Sequence, residues 1–156
     1  MSEILIKAAQ TAARHAHAPY SGFGVGAALL LTNGEIITGC NFENASYGLS
    51  LCAETVALAT ANAAGKLRDV REVAVIGGII KDGIISGSAP VRPCGRCRQI
   101  LNEAAQLANH DLIIHCASAD LSVVEAHKLS DLLPHPFGPA DLGIDQTRHS
   151  REGGNP

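Results

Sequence analysis

Strand-like and helix-like segments alternate along this sequence, and their order limits the possible folds more than any other feature does. Two aliphatic runs, residues 25–31 and 35–40, flank an Asn33-Gly34 turn and predict an antiparallel hairpin. Further strands are predicted at residues 72–80, 112–117 and 121–126, and helices at residues 2–18, 51–64, 93–107 and 129–133. This alternation predicts an α/β fold, specifically a three-layer α/β/α sandwich with a mixed five-stranded sheet.

The interior of this fold must be built from aliphatic side chains and alanine, because the periodic segments contain no aromatic residue. All five aromatic residues lie in segments rich in glycine, proline, serine and asparagine: Tyr20, Phe23, Phe42, Tyr47 and Phe137. Rings concentrated in loops either recognise a flat ligand or plug the ends of the core.

The size and charge of the chain restrict its architecture and its partners. Its 156 residues suffice for one domain, which we expect to span residues 1–142, followed by a flexible polar tail at residues 143–156. A formal net charge of −3 provides no general attraction to nucleic acids or anionic membranes.

The sequence has no apolar run of the roughly 18 residues that a membrane-spanning helix needs. It also has no secretory leader pattern, so we expect a cytoplasmic protein whose partner is a small molecule.

Three of the five cysteines lie where two predicted helices begin, in Cys52-Ala53-Glu54 and in Pro93-Cys94-Gly95-Arg96-Cys97. Unpaired N–H groups and the helix dipole at such positions favour the thiolate form, which binds metal ions. Two cysteines separated by two residues, joined by a third cysteine, suit a tetrahedral zinc ion better than magnesium or calcium. Thiol–disulfide exchange is the alternative, but it requires neither the third cysteine nor the nearby carboxylate.

Zinc ligands at Cys52, Cys94 and Cys97 would leave one coordination position to a water molecule that the ion makes acidic. Glu54 follows Cys52 closely enough to exchange protons with that water, so the pattern predicts a catalytic site with Glu54 as its acid–base residue. The alternative is a non-catalytic, zinc-stabilised structural domain with a fourth protein ligand. Three residues could supply that ligand: Cys40, Cys116 and His115.

Five ordered stretches carry a family resemblance. They are Pro19-Tyr20-Ser21-Gly22-Phe23, Gly39-Cys40-Asn41-Phe42-Glu43-Asn44-Ala45-Ser46-Tyr47, Cys52-Ala53-Glu54, Pro93-Cys94-Gly95-Arg96-Cys97-Arg98-Gln99 and Phe137-Gly138-Pro139. In these stretches the chain resembles the cytidine deaminases, specifically the small form in which three cysteines hold the zinc ion. The resemblance implies a zinc-dependent enzyme, with one ion per chain, that hydrolytically deaminates cytidine and 2′-deoxycytidine in pyrimidine salvage.

The resemblance also implies a role for each residue around the substrate. Glu54 would be the catalytic residue that carries protons between the water, the ring and the departing amine. Phe23 would lie against the base, and the backbone N–H of Ala53 would lie close to the carbonyl oxygen of the base. Asn41 and Glu43 would bind the 3′-hydroxyl of the sugar, which implies that the substrate is a free nucleoside.

The resemblance also implies an oligomer, and two aromatic residues carry this implication. Tyr47 and Phe137 correspond to residues that neighbouring chains contribute to one another's sites, so the family analogy implies a homotetramer with shared sites. Taken alone, Phe137 would more often cover the core, because it lies between Pro136 and Pro139.

Three features depart from the family pattern. Thr55 replaces an arginine that donates hydrogen bonds to the metal thiolates, so we expect Arg96, Arg98 or helix-start N–H groups to offset the cluster's negative charge. Gly24 replaces a proline, and residues 48–50 differ from the commoner loop sequence. Both changes lie near the predicted base or sugar, so a modified, N4-substituted or antibiotic cytosine nucleoside is an alternative substrate.

Overall fold

Six strands form one mixed sheet in the computed structural model, which describes residues 1–145. The strands are β1 (Phe23–Leu31), β2 (Ile36–Cys40), β3 (Val70–Lys81), β4 (Ile84–Ser86), β5 (Ile113–Ser118) and β6 (Val124–Lys128). Five of them follow the order β2-β1-β3-β5-β6, and β4 pairs with the end of β3. β3 and β5 are parallel, and the other pairings are antiparallel. The helices are α1 (Ser2–Ala13), α2 (Ala53–Ala63), α3 (Gly95–Ala108) and the short α4 (Leu129–Leu132).

The two faces of the sheet bury different side chains, because neighbouring residues along a strand point in opposite directions. On one face, Leu29 of β1 packs in a cluster with Ala57 of α2 and Leu101 of α3. On the other face, Ala28 of β1 packs in a cluster with Leu5 of α1. We call these the α2–α3 face and the α1 face. Helices on both faces confirm the predicted three-layer sandwich, and among residues 1–145 no aromatic side chain is buried in its core.

The structure adds one strand to the predicted five and moves several predicted boundaries, the largest change being that α1 ends at Ala13 and not at the predicted residue 18. The sequence pattern does not predict β4, because three residues are too few for strand alternation to be visible. Its turn is predictable: Asp82 and Gly83 have φ angles of 52° and 76°, as a tight hairpin turn requires. The helix expected to begin at Pro93 instead begins at Gly95, with Cys94 as its N-cap.

Gly39 in β2 allows α2 to pack closely against the sheet. A side-chain carbon at this position would lie 2.5 Å from the backbone nitrogen of Ala57 and 2.7 Å from the carbonyl oxygen of Ala53. Backbone atoms cannot move aside as a flexible side chain can, so the contact requires glycine. The contact sets the position of the first turns of α2, and therefore of Cys52 and Glu54, relative to the sheet.

Within residues 1–145, every helix is too short or too polar to span a lipid bilayer. The predicted tail begins at Gly143, and its residues 146–156 lie outside the part of the chain that the structure describes.

Candidate metal centre and active site

Three cysteine sulfurs lie together where α2 and α3 begin. Cys52 is the N-cap of α2, Cys94 is the N-cap of α3, and Cys97 lies in the first turn of α3. The three sulfurs lie within 4.8 Å of one another, and the Sγ atoms of Cys52 and Cys94 are 3.9 Å apart. Zn–S bonds of about 2.3 Å in a tetrahedron separate the sulfurs by about 3.8 Å, so this spacing fits a zinc ion.

The surroundings of one of these thiols lower its pKa and so favour its thiolate form. Contact with the Cys97 side chain lowers the pKa of Cys52 to about 6, and the charge of Arg96 acts in the same direction. The same contact with Cys52 raises the pKa of Cys97, because two adjacent thiolates would repel each other. A divalent cation removes that repulsion and favours loss of all three protons, so the donor set suits a thiolate-binding metal such as zinc.

The cluster contains three potential ligands and, within residues 1–145, no fourth cysteine, histidine, aspartate or glutamate. The three residues considered for that position lie elsewhere. Cys116 is buried in the core of the α2–α3 face, and Cys40 ends β2. The Nε2 atom of His115 is 2.7 Å from a carboxylate oxygen of Glu72. An ion held by the three sulfurs would therefore keep one position open to solvent or substrate, as catalytic zinc sites do.

Glu54 is buried beside the cluster, with only 3% of its surface exposed. Burial raises the pKa of this carboxyl group, because the charged form loses its hydration. One of its oxygens, Oε2, accepts a hydrogen bond from the Cys97 thiol across 3.3 Å. A carboxyl group with a raised pKa next to a metal-binding cluster is suited to accept and release protons.

A cavity of about 250 Å³ opens beside the cluster. Most of the predicted site residues line it: Asn41, Glu43, Cys52, Ala53, Glu54, Cys94 and Cys97. The remaining three, Phe23, Tyr47 and Phe137, are not part of its wall. Three larger cavities, of about 330, 390 and 490 Å³, have walls without any of these residues. The residues that line this cavity therefore identify it as the candidate site, because the three larger cavities lack them.

Asn41 and Glu43 are fixed in the cavity wall by the segment that leads into β1. The Asn41 side chain accepts a hydrogen bond from the Val25 N–H and donates one to the Phe23 carbonyl, both at 2.8 Å. The Glu43 carboxylate accepts hydrogen bonds from the hydroxyl and the backbone N–H of Ser21. The hydroxyl contact is the main cause of the lowered pKa of Glu43. These anchoring contacts cannot be read from the sequence, and they fix the positions of both side chains in the cavity wall.

The aromatic rings of the three predicted site residues outside the cavity wall are exposed in the single chain. Phe23 is 36% exposed, Phe137 is 59% exposed and Tyr47 is 74% exposed. The Tyr47 ring packs against the Tyr20 ring with 5.6 Å between their centroids. Both tyrosines line a second cavity of about 360 Å³, which shares Glu43 with the first. Apolar surface therefore continues from the candidate site onto the exterior of the chain.

Arg92 is a cavity residue that sequence reasoning missed. Its Nε and Nη2 atoms donate to the carboxylate of Glu125 in β6, at 2.9 and 2.6 Å, while the residue lines the cavity. Its place directly before Pro93-Cys94 is the only sequence signal that could have identified it. Glu125 lies 33 residues further along the chain, and only the tertiary fold brings it to Arg92.

Comparisons with known proteins agree with this geometry. Residues 1–110 match the family model described as the cytidine and deoxycytidylate deaminase zinc-binding region. The chain is 41% identical over 140 residues to a cytidine deaminase of Halalkalibacterium halodurans, covering 90% of this chain and 96% of that protein. It is 40% identical over 135 residues to one of Mycobacterium tuberculosis, covering 86% and 87%. A crystal structure of a cytidine deaminase from Burkholderia pseudomallei superposes with a TM-score of 0.76 at 39% identity, covering 88% and 99%.

Proposed function

Because the chain belongs to the cytidine and deoxycytidylate deaminase family and is an enzyme of the hydrolase class, we propose a specific reaction for it. It hydrolyses the 4-amino group of cytidine and 2′-deoxycytidine, giving uridine or 2′-deoxyuridine and ammonia, in pyrimidine salvage. The observation that carries the proposal is the buried Glu54 carboxyl group, 3.3 Å from the sulfur of Cys97 in a three-sulfur cluster beside a cavity. Residues 1–142 would act as one catalytic domain.

Cys52, Cys94 and Cys97 would hold one zinc ion per chain. When bound, the ion would lower the pKa of a water molecule and so supply a hydroxide nucleophile near neutral pH. Because the thiols must stay reduced to bind metal, the proposal includes a cytoplasmic location, where reducing conditions keep them so.

Glu54 would move the protons of the reaction. Its carboxylate accepts a proton from the attacking water and donates it to ring nitrogen N3, while oxygen adds to C4. The new hydroxyl group on C4 then gives its proton to the same carboxylate, which passes it to the 4-amino group; the C4–N bond breaks, ammonia leaves and C4 becomes the carbonyl carbon of the uracil ring. Burial favours the neutral carboxyl group, so holding a proton between these steps costs Glu54 little.

The cavity wall would hold the nucleoside in place for these transfers. Asn41 and Glu43 are anchored by the backbone near β1, and their remaining donor and acceptor capacity would bind the 3′-hydroxyl. The Ala53 N–H, in the first turn of α2, would donate to the carbonyl oxygen of the base, and Phe23 would lie against the ring. A phosphate on the 3′-oxygen would be excluded, which makes a polynucleotide a poor substrate.

A homotetramer would complete the site. Tyr47 and Phe137 lie outside the cavity wall of their own chain and are exposed by 74% and 59%. Contact with the sites of neighbouring chains would bury both rings, and the second cavity beside Tyr47 would be enclosed. Sedimentation of the zinc-loaded protein would test this part of the proposal: a stable monomer with full activity would contradict it.

The decisive experiment pairs an ultraviolet assay of cytidine deamination with zinc quantification per chain. Glu54→Gln should retain zinc and the fold but lose roughly 10²–10⁴-fold in kcat, because it removes one acid–base group. Glu3→Gln is the matched control, since Glu3 is exposed on α1 and pairs with Lys7, and it should leave kcat unchanged. Full activity of Glu54→Gln would contradict the mechanism.

A substrate series separates the proposal from its alternatives. We expect turnover of cytidine and 2′-deoxycytidine to exceed that of their N4-substituted analogues. A preference for the N4-substituted nucleosides would assign the enzyme to modified substrates instead. Stoichiometric zinc with no turnover of any cytosine nucleoside would indicate a structural zinc domain and overturn the proposed function.

A further inference from the structure

One buried hydroxyl group near the cysteine cluster has no hydrogen-bond partner. Within residues 1–145, the Oγ1 atom of Thr55 is the buried side-chain oxygen or nitrogen that lacks one. Two other helical threonines behave differently: the hydroxyl of Thr11 donates to the Lys7 carbonyl and that of Thr60 donates to the Val56 carbonyl, at 3.0 and 2.8 Å. Because buried polar groups are nearly always paired, the exception requires an explanation.

The position of Thr55 explains why its hydroxyl does not donate to the carbonyl four residues earlier, as those of Thr11 and Thr60 do. Thr55 is the third residue of α2, so the carbonyl four residues earlier belongs to Leu51, outside the helix. The Leu51 carbonyl already accepts the Phe42 N–H at 2.9 Å. Helical Cα–Cβ bonds tilt toward the N-terminus, so the Thr55 side chain lies over the turn that begins at Cys52. The third helical position is also the one whose side chain can reach back to the N-cap residue.

The arginines near the cluster donate hydrogen bonds to backbone carbonyl groups. The Arg98 guanidinium donates to the carbonyls of Pro93 and Leu132, each at 2.8 Å. The Arg96 guanidinium donates to the carbonyl of Ser50 at 3.5 Å. Arg96 therefore contributes charge near Cys52, but these contacts direct both side chains toward backbone oxygens. With metal bound, Cys97 is itself a thiolate and cannot donate, and the Cys52 side chain caps no backbone N–H of α2, so the Cys52 thiolate still needs a donor.

We propose that the Thr55 hydroxyl is a positioning group that donates an O–H···S hydrogen bond to the Cys52 thiolate in the zinc-loaded protein. A thiol can donate, but a thiolate bound to a metal only accepts, so metal binding creates the acceptor that the orphaned hydroxyl lacks. Threonine in a helix occupies two side-chain rotamers, so the hydroxyl can turn toward Cys52 without movement of the backbone. Such a bond orients the ligand and offsets part of the cluster's negative charge.

The test compares Thr55→Val, which keeps the shape and removes the hydroxyl, with Thr55→Ser, which keeps the hydroxyl. Zinc affinity is measured by competition with a chromogenic chelator under reducing conditions. Loss of a group that supports a metal ligand typically weakens affinity about 10–100-fold, so we expect Thr55→Val to lose at least tenfold. Thr55→Ser should bind within about twofold of the wild type. Thr60→Val, in the same helix, is the matched control and should also bind like the wild type.

Two further readouts separate this role from a purely structural one. In protein stripped of metal, Thr55→Val should melt at a higher temperature than the wild type, because it removes an unpaired buried hydroxyl. In cobalt-substituted protein, Thr55→Val should shift the sulfur-to-cobalt charge-transfer band, and Thr55→Ser should restore it. Unchanged zinc affinity with an unchanged band would overturn the proposal, as would a Thr55→Ser variant as weak as Thr55→Val.

This inference rests on the zinc centre of the proposed function, and the two can fail separately. A wild-type chain that binds one zinc ion but deaminates no nucleoside would overturn the proposed reaction and leave the Thr55 measurement valid. A deaminase whose zinc affinity is indifferent to Thr55→Val would overturn the inference alone. A wild-type chain without zinc affinity would overturn both.

Discussion

The two faces of the sheet are packed alike, but they differ in how their buried polar groups are satisfied. On the α1 face, the ring of His115 is paired with Glu72 across 2.7 Å. On the α2–α3 face, Glu54 is buried with a raised pKa, and Thr55 carries an unpaired hydroxyl. Such groups cost stability, so their concentration around three cysteines marks the part of the fold that serves chemistry.

On both faces, a glycine in a strand allows a helix to pack close to the sheet. A side-chain carbon at Gly26 in β1 would lie 2.0 Å from the carbonyl oxygen of Ala9 in α1. At Gly39 in β2, the shortest such distance is 2.5 Å, to the nitrogen of Ala57 in α2. Close helix packing is therefore general in this fold, whereas the carboxyl group with a raised pKa and the unpaired hydroxyl belong to the α2–α3 face.

The largest expected effect comes from removing one sulfur. Cys94→Ala should bind zinc so weakly that the purified protein contains none, and it should lose the stabilisation that bound metal provides, because the ligands join the starts of two helices. Leu5→Ala, in the core of the α1 face, is the comparison. It should cost about 2–5 kcal/mol of unfolding free energy yet keep one zinc ion per chain. Metal analysis and denaturant unfolding measure both effects.

Two results from these variants would contradict a metal centre supported mainly by the α2–α3 face. Stoichiometric zinc in Cys94→Ala would show that the three sulfurs are not a joint site. Loss of zinc in a Leu5→Ala protein that is still folded would show that the α1 face supports the metal centre as strongly as the α2–α3 face does.

The next largest effect concerns the two glycines. Gly26→Ala should destabilise the fold more than Gly39→Ala, because its new carbon would approach backbone atoms more closely. Overpacking typically costs about 1–3 kcal/mol and occasionally more, and we place Gly26→Ala at the upper end. Gly39→Ala should also weaken zinc binding, because it displaces the first turns of α2 and with them Cys52.

Urea unfolding and zinc titration of both glycine variants would check this expectation. Gly26→Ala should bind zinc with the affinity of the wild type as long as it is folded. If both variants weaken zinc binding equally, the position of α2 relative to β2 is not what sets the geometry of the cluster.

Much of the fold follows from local patterns in the sequence. Alternating aliphatic residues and the Asn33-Gly34 turn predict the β1–β2 hairpin, and the pairing of β1 with β2 confirms it. Cysteines at two helix starts predict a shared cluster, and the structure brings their sulfurs within 4.8 Å. These features are predictable because they depend on periodicity, turn chemistry and helix ends, which are local properties.

The remaining features depend on contacts between distant segments. The bond between Arg92 and Glu125 forms because β6 lies at the edge of the sheet next to the segment that precedes α3. The sequence predicts Glu43 as a ligand-binding residue but does not show that Ser21 anchors it. The hydroxyl of Thr55 lacks a partner because the carbonyl four residues earlier belongs to Leu51, which lies outside α2 and pairs with Phe42. Such partners are set by packing, which no short pattern encodes.

The smallest expected effect is a pH dependence that belongs to the α2–α3 face. Burial raises the pKa of Glu54 above its ordinary 4.5, so the folded protein binds this proton more tightly than the unfolded chain does. Above the raised pKa the buried carboxylate therefore destabilises the fold, and below the ordinary pKa this cost vanishes. Each unit of the raised pKa corresponds to about 1.4 kcal/mol of unfolding free energy. In reduced, zinc-stripped protein, Glu54→Gln should therefore be more stable than the wild type at pH 8, and the difference should shrink toward pH 4.

Glu72→Gln tests whether replacing a carboxylate on the α1 face lowers stability, whereas Glu54→Gln on the α2–α3 face should raise it at pH 8. Glu72 is the partner of His115 on the α1 face, so its replacement should lower stability by weakening a satisfied pair. Urea unfolding at several pH values would compare both variants with the wild type. If Glu54→Gln were the less stable protein at pH 8, the interactions of the buried carboxylate would outweigh its loss of hydration, and the difference between the two faces would no longer hold.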